Sequence, residues 1–236
     1  MTILITGSSR GIGAELALEF AREGHRLLLV SRNEKRIRHI ADQCNGISGR
    51  KNAHVILFDI NDLDNQNQEF DSMLRNYTDS IDAIVNNAGH LVKKPFEEIT
   101  SFDIHQLFSV NIFAPGNLIK IALPFLRKSD HAHVVNITSM GGFQGSSKFR
   151  GLSYYSASKS ALSTLTECLA EEYKEEGISF NALSLGAVGT EMFGEAFPGF
   201  SAPLTAEGMA GFIKWFTLNG NKYFNGKNLP VSVSTP

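Results

Sequence analysis

Two side chains past the middle of the chain have the residue types and the spacing of an acid–base pair. Tyr155 and Lys159 are four positions apart, so on a helix they share one face, one turn from each other. A free phenol has a pKa of about 10, and a neighbouring ammonium group favours its ionised form. Such a pair could give or take a proton near neutral pH. Most pairs with this spacing lie on a solvated helix surface. Whether this pair is catalytic therefore depends on the elements that position it.

The composition describes one globular unit. A chain of 236 residues fits a single α/β domain, predicted over residues 1–236, and 42% hydrophobic residues suffice for its core. The net charge of -2 gives no sign of a nucleic-acid surface. Two cysteines, Cys44 and Cys168, cannot form a disulfide framework, which indicates a reducing, cytoplasmic setting. We find no signal peptide and no apolar run long enough to cross a bilayer, so no membrane partner is expected.

The N-terminal segment has the pattern of a phosphate-binding turn. Thr2–Thr6 is a β-rich run, the glycine-rich stretch Gly7–Gly13 follows at once, and Ala14–Glu23 carries apolar residues at helical spacing. The glycines let the backbone approach a pyrophosphate, and the helix N-terminus offers N–H donors. The alternative is a glycine-rich turn without a ligand. The strand before it and the helix after it favour nucleotide binding.

The end of the second predicted strand, Arg26–Val30, indicates which dinucleotide binds. An acidic residue there would bond to the ribose 2′-hydroxyl of NAD, whereas an arginine pairs with the 2′-phosphate of NADP. The stretch Ser31–Asn33 lacks the acid and contains Arg32, and Arg10 in the glycine-rich stretch is a second candidate phosphate partner. We therefore predict NADP. The alternative is that both arginines are solvated loop residues.

Strands and helices alternate along the rest of the chain. This order predicts an α/β fold of the doubly wound, Rossmann type, with a parallel sheet of about seven strands and helices on both faces. The remaining strands are predicted over 54–58, 81–85, 132–137, 179–185 and 228–234, and Pro230 makes the last one an edge strand. Ligands of such sheets lie beyond the carboxyl ends of the strands. Asp59, the turn Asn86–Gly89 and Ser139 all fall at such ends.

A long apolar stretch, Ser101–Lys128, is hydrophobic around much of its circumference, which indicates burial on two sides, one of them against a partner subunit. Asn111 lies inside it and needs hydrogen-bond partners when buried, and Pro115 is expected to bend the helix. His131 and His133 have no third ligand at a suitable spacing, so we interpret them as surface residues at a strand entry and predict no metal site.

The segment after the sixth predicted strand is rich in phenylalanine and glycine. Residues 191–202 show no clean periodicity, and we predict a mobile lid that lines an apolar substrate pocket, within a lid region spanning 191–218. The alternative is that these aromatic side chains pack permanently onto the body. Cys168, in the helix predicted over 154–176, is interpreted as a packing residue.

The ordered set of motifs resembles the short-chain dehydrogenase/reductase family in its compact single-domain form. The likeness runs from Thr2 to Thr190 and is carried by Thr6–Gly13, Asp59–Ile60, Asn86–Gly89, Asn111, Ser139 and Tyr155–Lys159. It implies an NADPH-dependent oxidoreductase that interconverts a carbonyl and an alcohol group without a metal. The cofactor would supply the hydride and the protein its orientation.

The resemblance also implies a role for each matching residue. Tyr155 would protonate the carbonyl oxygen, and Ser139 would hydrogen-bond to the same oxygen. Lys159 would lower the pKa of Tyr155 and hold the ribose hydroxyls, and Asn111 would anchor a water that relays protons to Lys159. The implied cofactor-binding residues are Gly7, Ser9, Arg10, Gly11, Ile12, Gly13, Ser31, Arg32, Asp59, Ile60, Asn87, Ala88, Gly89, Tyr155, Lys159, Gly186, Val188 and Thr190.

The chain departs from the family pattern in four segments that bear on substrate and assembly. The segment after Thr190 is short, which argues against a bulky enclosed pocket. Leu185 stands where proline is usual, which implies a less rigid loop into the nicotinamide pocket. Residues 142–154 are longer than usual and polar, with Lys148 and Arg150, which hints at a polar or anionic group near the substrate entrance. Residues 229–236 lack the usual Asp-Gly-Gly ending, so a homodimer is expected as readily as a homotetramer.

Two other functions are weighed against the oxidoreductase. A catalytically silent nucleotide-binding regulatory or scaffold protein of the same fold is the main alternative. Such proteins usually lose the tyrosine or the lysine of the motif, whereas Tyr155 and Lys159 are both present. A nucleotide-sugar epimerase or dehydratase would need an extra substrate domain, for which 236 residues leave no room. The expected partner is therefore a small carbonyl or alcohol compound, and not nucleic acid.

Overall fold

The computed structural model describes residues 1–233, so the predicted end of the last strand at Ser234 lies outside the described part. The strands are β1 Thr2–Thr6, β2 Arg26–Ser31, β3 Ala53–Leu57, β4 Ala83–Asn86, β5 His133–Ser139, β6 Ser179–Leu185, β7 Val188–Gly189, β8 Leu204–Thr205 and β9 Lys227–Val231. Seven of them form one parallel sheet in the order β3-β2-β1-β4-β5-β6-β9, and β7 pairs separately with β8. The predicted doubly wound α/β fold is confirmed, with Pro230 on the edge strand β9.

Helices cover both faces of this sheet. They are α1 Gly11–Arg22, α2 Glu34–Ser48, α3 Asn67–Arg75, α4 Ser101–Phe108, α5 Ala114–Leu126, α6 Ser153–Glu172, α7 Glu191–Ala196 and α8 Ala206–Asn219. Side chains of α1, α2 and α8 share one core cluster with the sheet, and side chains of α3, α5 and α6 share the other. The protein therefore has three layers, with the sheet in the middle.

The central strand shows why the sequence folds into these layers. In β1, Ile3 and Ile5 belong to the cluster under α1, α2 and α8, whereas Leu4 between them belongs to the opposite cluster. Successive side chains of a strand point to opposite faces. Because β1 is apolar at every one of these positions, both faces of the sheet can be covered by helices.

The long apolar helix contains an irregular turn that sequence reasoning placed elsewhere. Residues Ser109–Phe113 form a π-helical stretch between α4 and α5, and Asn111 is fully buried at its centre. An irregularity is predicted at Pro115, but in the structure it lies about one turn earlier. Pro115 itself sits in the first turn of the regular helix α5. Proline lacks the N–H that an α-helix would bond to the carbonyl of Asn111, which fits a change of hydrogen-bonding pattern just before it.

The prediction that no apolar run is long enough to cross a bilayer is wrong for this helix. By length and composition, the 26 residues Ser101–Leu126 could cross a bilayer. In the structure, 44% of the most apolar window is buried inside the protein, and Leu118, Ile119 and Phe125 belong to the core cluster of the second face. The core helices of globular proteins pass the same length and composition test.

Two further expectations about single residues are wrong. His133 is fully buried rather than at the surface, because alternate residues of β5 face the helix α8, which covers that end of the sheet. Its Nδ1 donates to the carbonyl oxygen of Thr217 at 3.0 Å, and its Nε2 accepts from the Asn181 amide at 3.0 Å. Cys168 is exposed, whereas Cys44 is buried and burial raises the pKa of its thiol to about 12.

The environment of His133 predicts an acid-sensitive core. Burial lowers the pKa of His133 from 6.5 to about 4, and the Asn181 amide offers only an N–H group to Nε2, so a second proton has no acceptor. A depressed folded-state pKa gives stability that is complete above pH 6.5 and is lost as the pH falls through 4. The loss should reach about 3 kcal/mol.

Urea unfolding measured from pH 7 to pH 4 tests this expectation. His133→Gln should be less stable at pH 7 but should lose about 3 kcal/mol less stability on acidification than the unchanged chain. His39→Gln, on the exposed face of α2, is the matched control and should leave the pH dependence as it is. An unchanged pH dependence in His133→Gln would contradict the assignment.

Candidate active site

A cavity of about 1120 Å³ opens along the carboxyl edge of the sheet. It brings together nearly all of the site residues predicted from the sequence. Those that line it are Gly7, Ser9, Arg10, Gly11, Ile12, Ser31, Arg32, Asp59, Ile60, Asn87, Ala88, Gly89, Ser139, Tyr155, Lys159, Gly186, Val188 and Thr190. Gly13 and Asn111 stand behind the wall, where they support residues that do line it.

The glycine-rich turn is fixed against the turn that follows β4. Gly7 has a φ of +67°, and a Cβ built on it would stand 2.8 Å from the Cα of Ala88. The side-chain amide of Asn87 donates to the carbonyl oxygens of Thr6 and Gly7 at 3.0 and 3.2 Å, and the hydroxyl of Thr6 accepts the N–H groups of Asn87 and Ala88. In this structure Asn87 therefore fixes the conformation of the turn, independently of any contact with a ligand.

The geometry of this turn fits a pyrophosphate group. Helix α1 begins at Gly11, and within the described residues its first turn has neither a side-chain cap on Arg10 nor an acidic residue. The first N–H groups of a helix have no partner inside the helix, and here the first two helical residues, Gly11 and Ile12, line the cavity. Uncapped backbone donors and a positive helix end are the features that bind phosphate groups.

The two arginines predicted to bind the cofactor, Arg10 and Arg32, form ion pairs with carboxylates from other elements. They line what we call the cofactor half of the cavity. Arg32 contacts Asp59 at 3.0 Å, so two of the predicted cofactor-binding residues form an ion pair with each other. Arg10 contacts Glu191 at 2.7 Å, and Arg36 contacts the same carboxylate at 3.0 Å. Neither Arg36 nor Glu191 was predicted from the sequence.

Asn111 forms a clamp on the backbone next to the cavity. Its Oδ1 accepts the N–H of His90 at 2.8 Å, and its Nδ2 donates to the carbonyl of His90 and to Ser158 Oγ, both at 2.9 Å. Ser158 in turn donates to the backbone carbonyl of Tyr155 at 2.8 Å. Asn111 thus connects the turn after β4 to the first turns of α6.

Lys159 lies beside this clamp. A Cβ built on Gly89 would be 3.3 Å from Lys159 Nζ and 3.6 Å from Asn111 Oδ1, so both atoms flank the same glycine. Lys159 is only 4% exposed, and its Nζ donates to the carbonyl of Ile137 at 2.9 Å. Burial disfavours the charged ammonium and lowers the pKa of Lys159 to about 8.

The phenol of Tyr155 departs from the expectation for this pair. Burial raises the pKa of Tyr155, and a side-chain hydrogen bond with Ser139 acts in the opposite direction. The expectation that Lys159 lowers this pKa is not met, because burial is the largest influence and Ser139 is the group that opposes it. Ser139 and Tyr155 nevertheless meet in the cavity wall, as a shared contact with one oxygen atom requires.

The other half of the cavity is aromatic. The rings of Phe193 and Phe197 are tilted against each other with centres 5.2 Å apart, and Phe149 meets Phe197 edge-on at 6.4 Å. Lys93 Nζ lies 4.2 Å from the centre of the Phe197 ring. Lys93 also donates to the carbonyl of Ala196 at 2.8 Å. An apolar chamber with a few polar groups is the usual form of a small-molecule site.

The predicted lid region divides into two parts. Helix α7 was not expected from the sequence, and together with residues 197–201 it lines the cavity. Helix α8 buries Met209, Ile213 and Phe216 in the core against α1, so it belongs to the body of the domain. Mobility of the part before α8 stays a prediction.

Sequence reasoning missed His90 and Lys93, which both line the cavity. His90 follows the Asn86–Gly89 turn directly, and this position at a strand end was the available signal. Lys93 had no signal, because its contact with Phe197 joins two loops that are far apart in the chain. Across residues 1–233, no group of three or more His, Cys, Asp or Glu side chains is placed to hold a metal ion.

Comparison with known proteins gives the family. The sequence model described as short chain dehydrogenase matches residues 1–199. An uncharacterised oxidoreductase of Staphylococcus epidermidis is 31% identical over 195 residues, which are 80% of this chain and 78% of that protein. The oxidoreductase YciK of Escherichia coli is 32% identical, with 83% of this chain and 77% of YciK covered. The chain belongs to the short-chain dehydrogenase family.

Solved structures of the family superimpose on nearly the whole chain. A short-chain dehydrogenase of Shigella flexneri in complex with NADP matches with a TM-score of 0.89 at 28% identity, over 97% of this chain and 95% of that chain. One of Escherichia coli in complex with NADPH matches with a TM-score of 0.88, at the same identity and coverage. As a member of the short-chain dehydrogenase family, the protein is an oxidoreductase.

The packing of Gly13 yields a prediction about the turn. A Cβ at this position would clash with the carbonyl oxygen of Gly7 and lie 2.5 Å from Asn87 Nδ2, so the turn would have to shift. Gly13→Ala should destabilise the protein by about 1–3 kcal/mol. Gly46→Ala is the matched control, since Gly46 is also helical and a Cβ there meets nothing within 4 Å.

Urea unfolding at neutral pH measures both variants. Gly46→Ala should be neutral or more stable by up to about 1 kcal/mol, because alanine has the higher helix propensity. Equal stability of the two variants would show that Gly13 is not packed against the turn.

Proposed function

We propose that the protein is an NADPH-dependent oxidoreductase that reduces a carbonyl group or oxidises an alcohol, with Asn111, Ser139, Tyr155 and Lys159 as its active-site set. One observation carries the proposal. Ser139, Tyr155 and Lys159 line the same cavity as the glycine-rich turn at the uncapped end of α1. A dinucleotide seated on that turn would extend along the cavity toward the three side chains.

The chain's own residues handle the proton and the oxygen atom. A bound nicotinamide supplies or accepts the hydride. Tyr155 gives its proton to the carbonyl oxygen as charge develops there, and Ser139 donates a hydrogen bond to the same oxygen. Lys159 holds the ribose hydroxyls through its ammonium group. Asn111 keeps this arrangement in register through its bonds to His90 and Ser158.

The cofactor assignment rests on charge. Arg10 and Arg32 line the half of the cavity that begins at the ends of β1 and β2, where a 2′-phosphate is met in folds of this type. Relatives of this chain have been solved with NADP and NADPH. The arginines would bind the phosphate through charge-assisted, two-pronged hydrogen bonds.

The cavity lining and the exposed surface bear on the substrate and on the assembly. We propose a small carbonyl or alcohol substrate with an apolar part for the aromatic half of the cavity, a homodimer or homotetramer, and a cytoplasmic location. Phe102 and Phe113 on the long helix are 70% and 53% exposed, which supports contact with a second copy. A silent nucleotide-binding protein remains the second candidate and predicts NADPH binding without turnover.

Replacement of the proposed acid separates these candidates. Tyr155→Phe should lower kcat by about 10²- to 10⁴-fold with little change in NADPH affinity, because the ring remains and only the proton donor is lost. Tyr154→Phe is the matched control, since Tyr154 is adjacent but stacks on Phe96 at 5.8 Å. A screen of ketones and alcohols followed by NADPH absorbance provides the rates. Full activity of Tyr155→Phe would refute the mechanism.

The pKa of Lys159 predicts the alkaline limit of activity. Its ammonium form carries the charge that the mechanism uses, and this form is lost as the pH rises through about 8. The value of kcat/KM for NADPH, which reports the free enzyme, should therefore fall about tenfold per pH unit above that value. Lys159→Arg keeps a charge at high pH, so any activity it retains should lack this fall. A wild-type profile that is flat to pH 10 would contradict the role of Lys159.

A further inference from the structure

Glu191 connects three elements around the cofactor half of the cavity. It is the first residue of α7, and its carboxylate accepts from Arg10 in the glycine-rich turn at 2.7 Å. It also accepts from Arg36 on α2 through both oxygens, at 3.0 and 3.3 Å. The two arginines lower the pKa of Glu191, so it is ionised at neutral pH.

The contact between Arg10 and Glu191 forms part of the wall of the proposed dinucleotide site. Arg10 and Glu191 both line the cavity, and a Cβ on Gly11 would be only 3.4 Å from the methyl group of Thr190. The start of α7 therefore lies directly against the turn proposed for the pyrophosphate. The side chains of Arg10, Arg36 and Glu191 are 43%, 48% and 50% exposed, so their ion pairs remain open to competition from solution.

We infer that Glu191, which Arg36 holds in place, is a selectivity residue: an internal carboxylate that competes with the 2′-phosphate of the cofactor for Arg10. This inference rests on the proposed NADPH-binding function. A phosphate and a carboxylate engage the arginine fork in the same way. Only NADPH carries the 2′-phosphate, so Glu191 opposes NADPH and leaves NADH almost unaffected.

The competition also links the cofactor to α7. If the ion pair opposes the phosphate, the phosphate opposes the ion pair to the same extent. Binding of NADPH therefore releases the first turn of α7 from Arg10, and NADH does not. Helix α7 keeps its contacts at the other end, where Lys93 donates to Ala196.

The test compares two carboxylates on one helix. Glu191→Gln removes the competing charge, and Glu195→Gln removes an equal charge whose contact with Arg10 is longer, at 3.7 Å, and more exposed. Dissociation constants for NADPH and NADH are measured by nucleotide fluorescence titration at low and high salt. Glu191→Gln should bind NADPH about 3- to 10-fold more tightly, a modest gain because the ion pairs of Glu191 are exposed. High salt should reduce the gain.

Amide hydrogen exchange provides a second measurement. In the wild-type chain, the amides of Phe193–Ala196 should exchange faster in the NADPH complex than in the NADH complex, because effects common to both nucleotides cancel. This difference should vanish in Glu191→Gln and persist in Glu195→Gln.

Three results would overturn the inference. They are weaker NADPH binding by Glu191→Gln, an equal gain for NADH, and a gain of the same size in Glu195→Gln. The first would mean that Glu191 positions the arginines for the phosphate. A wild-type chain that binds neither nucleotide would refute the proposed function itself, and this inference with it.

Discussion

The close contact between two turns at the carboxyl edge of the sheet is the constraint on which the rest of the site depends. The turn after β1 and the turn after β4 meet with backbone against backbone at Gly7 and Ala88. Thr6 and Asn87 then use their side chains to satisfy the backbone groups that such a contact would leave unpaired. The start of α1, and with it the place for a pyrophosphate, is set by this contact.

A second, buried network holds the opposite wall. Asn111 binds both backbone groups of His90, and Ser158 passes the connection on to the first turn of α6. Buried amide groups cost free energy unless all of their partners are present. The network therefore specifies one placement of α6 relative to the turn after β4, and Lys159 lies at that junction.

Much of this arrangement follows from sequence pattern. Asp59, Ser139 and the Asn86–Gly89 turn could be assigned to one rim because parallel strands bring their carboxyl ends to the same edge. His133 was misassigned because a period of two does not tell which face a neighbouring helix covers, and α8 arrives from 84 residues further along the chain to bond with it. The contact of Arg36 with Glu191 spans 155 residues, and local periodicity contains no information about it.

The π-helical stretch also sets the angular phase of the long helix. A π turn holds more residues than an α turn. The buried side chains of the helices on either side of Ser109–Phe113 therefore point in different relative directions than they would in an uninterrupted α-helix. Conversion of these five residues to regular α-helix, with the chain length unchanged, would rotate α4 by about 100° relative to α5. The buried amide of Asn111 would then swing away from His90. The π-helical stretch therefore sets the rotation at which α4 and α5 each present their buried side chains.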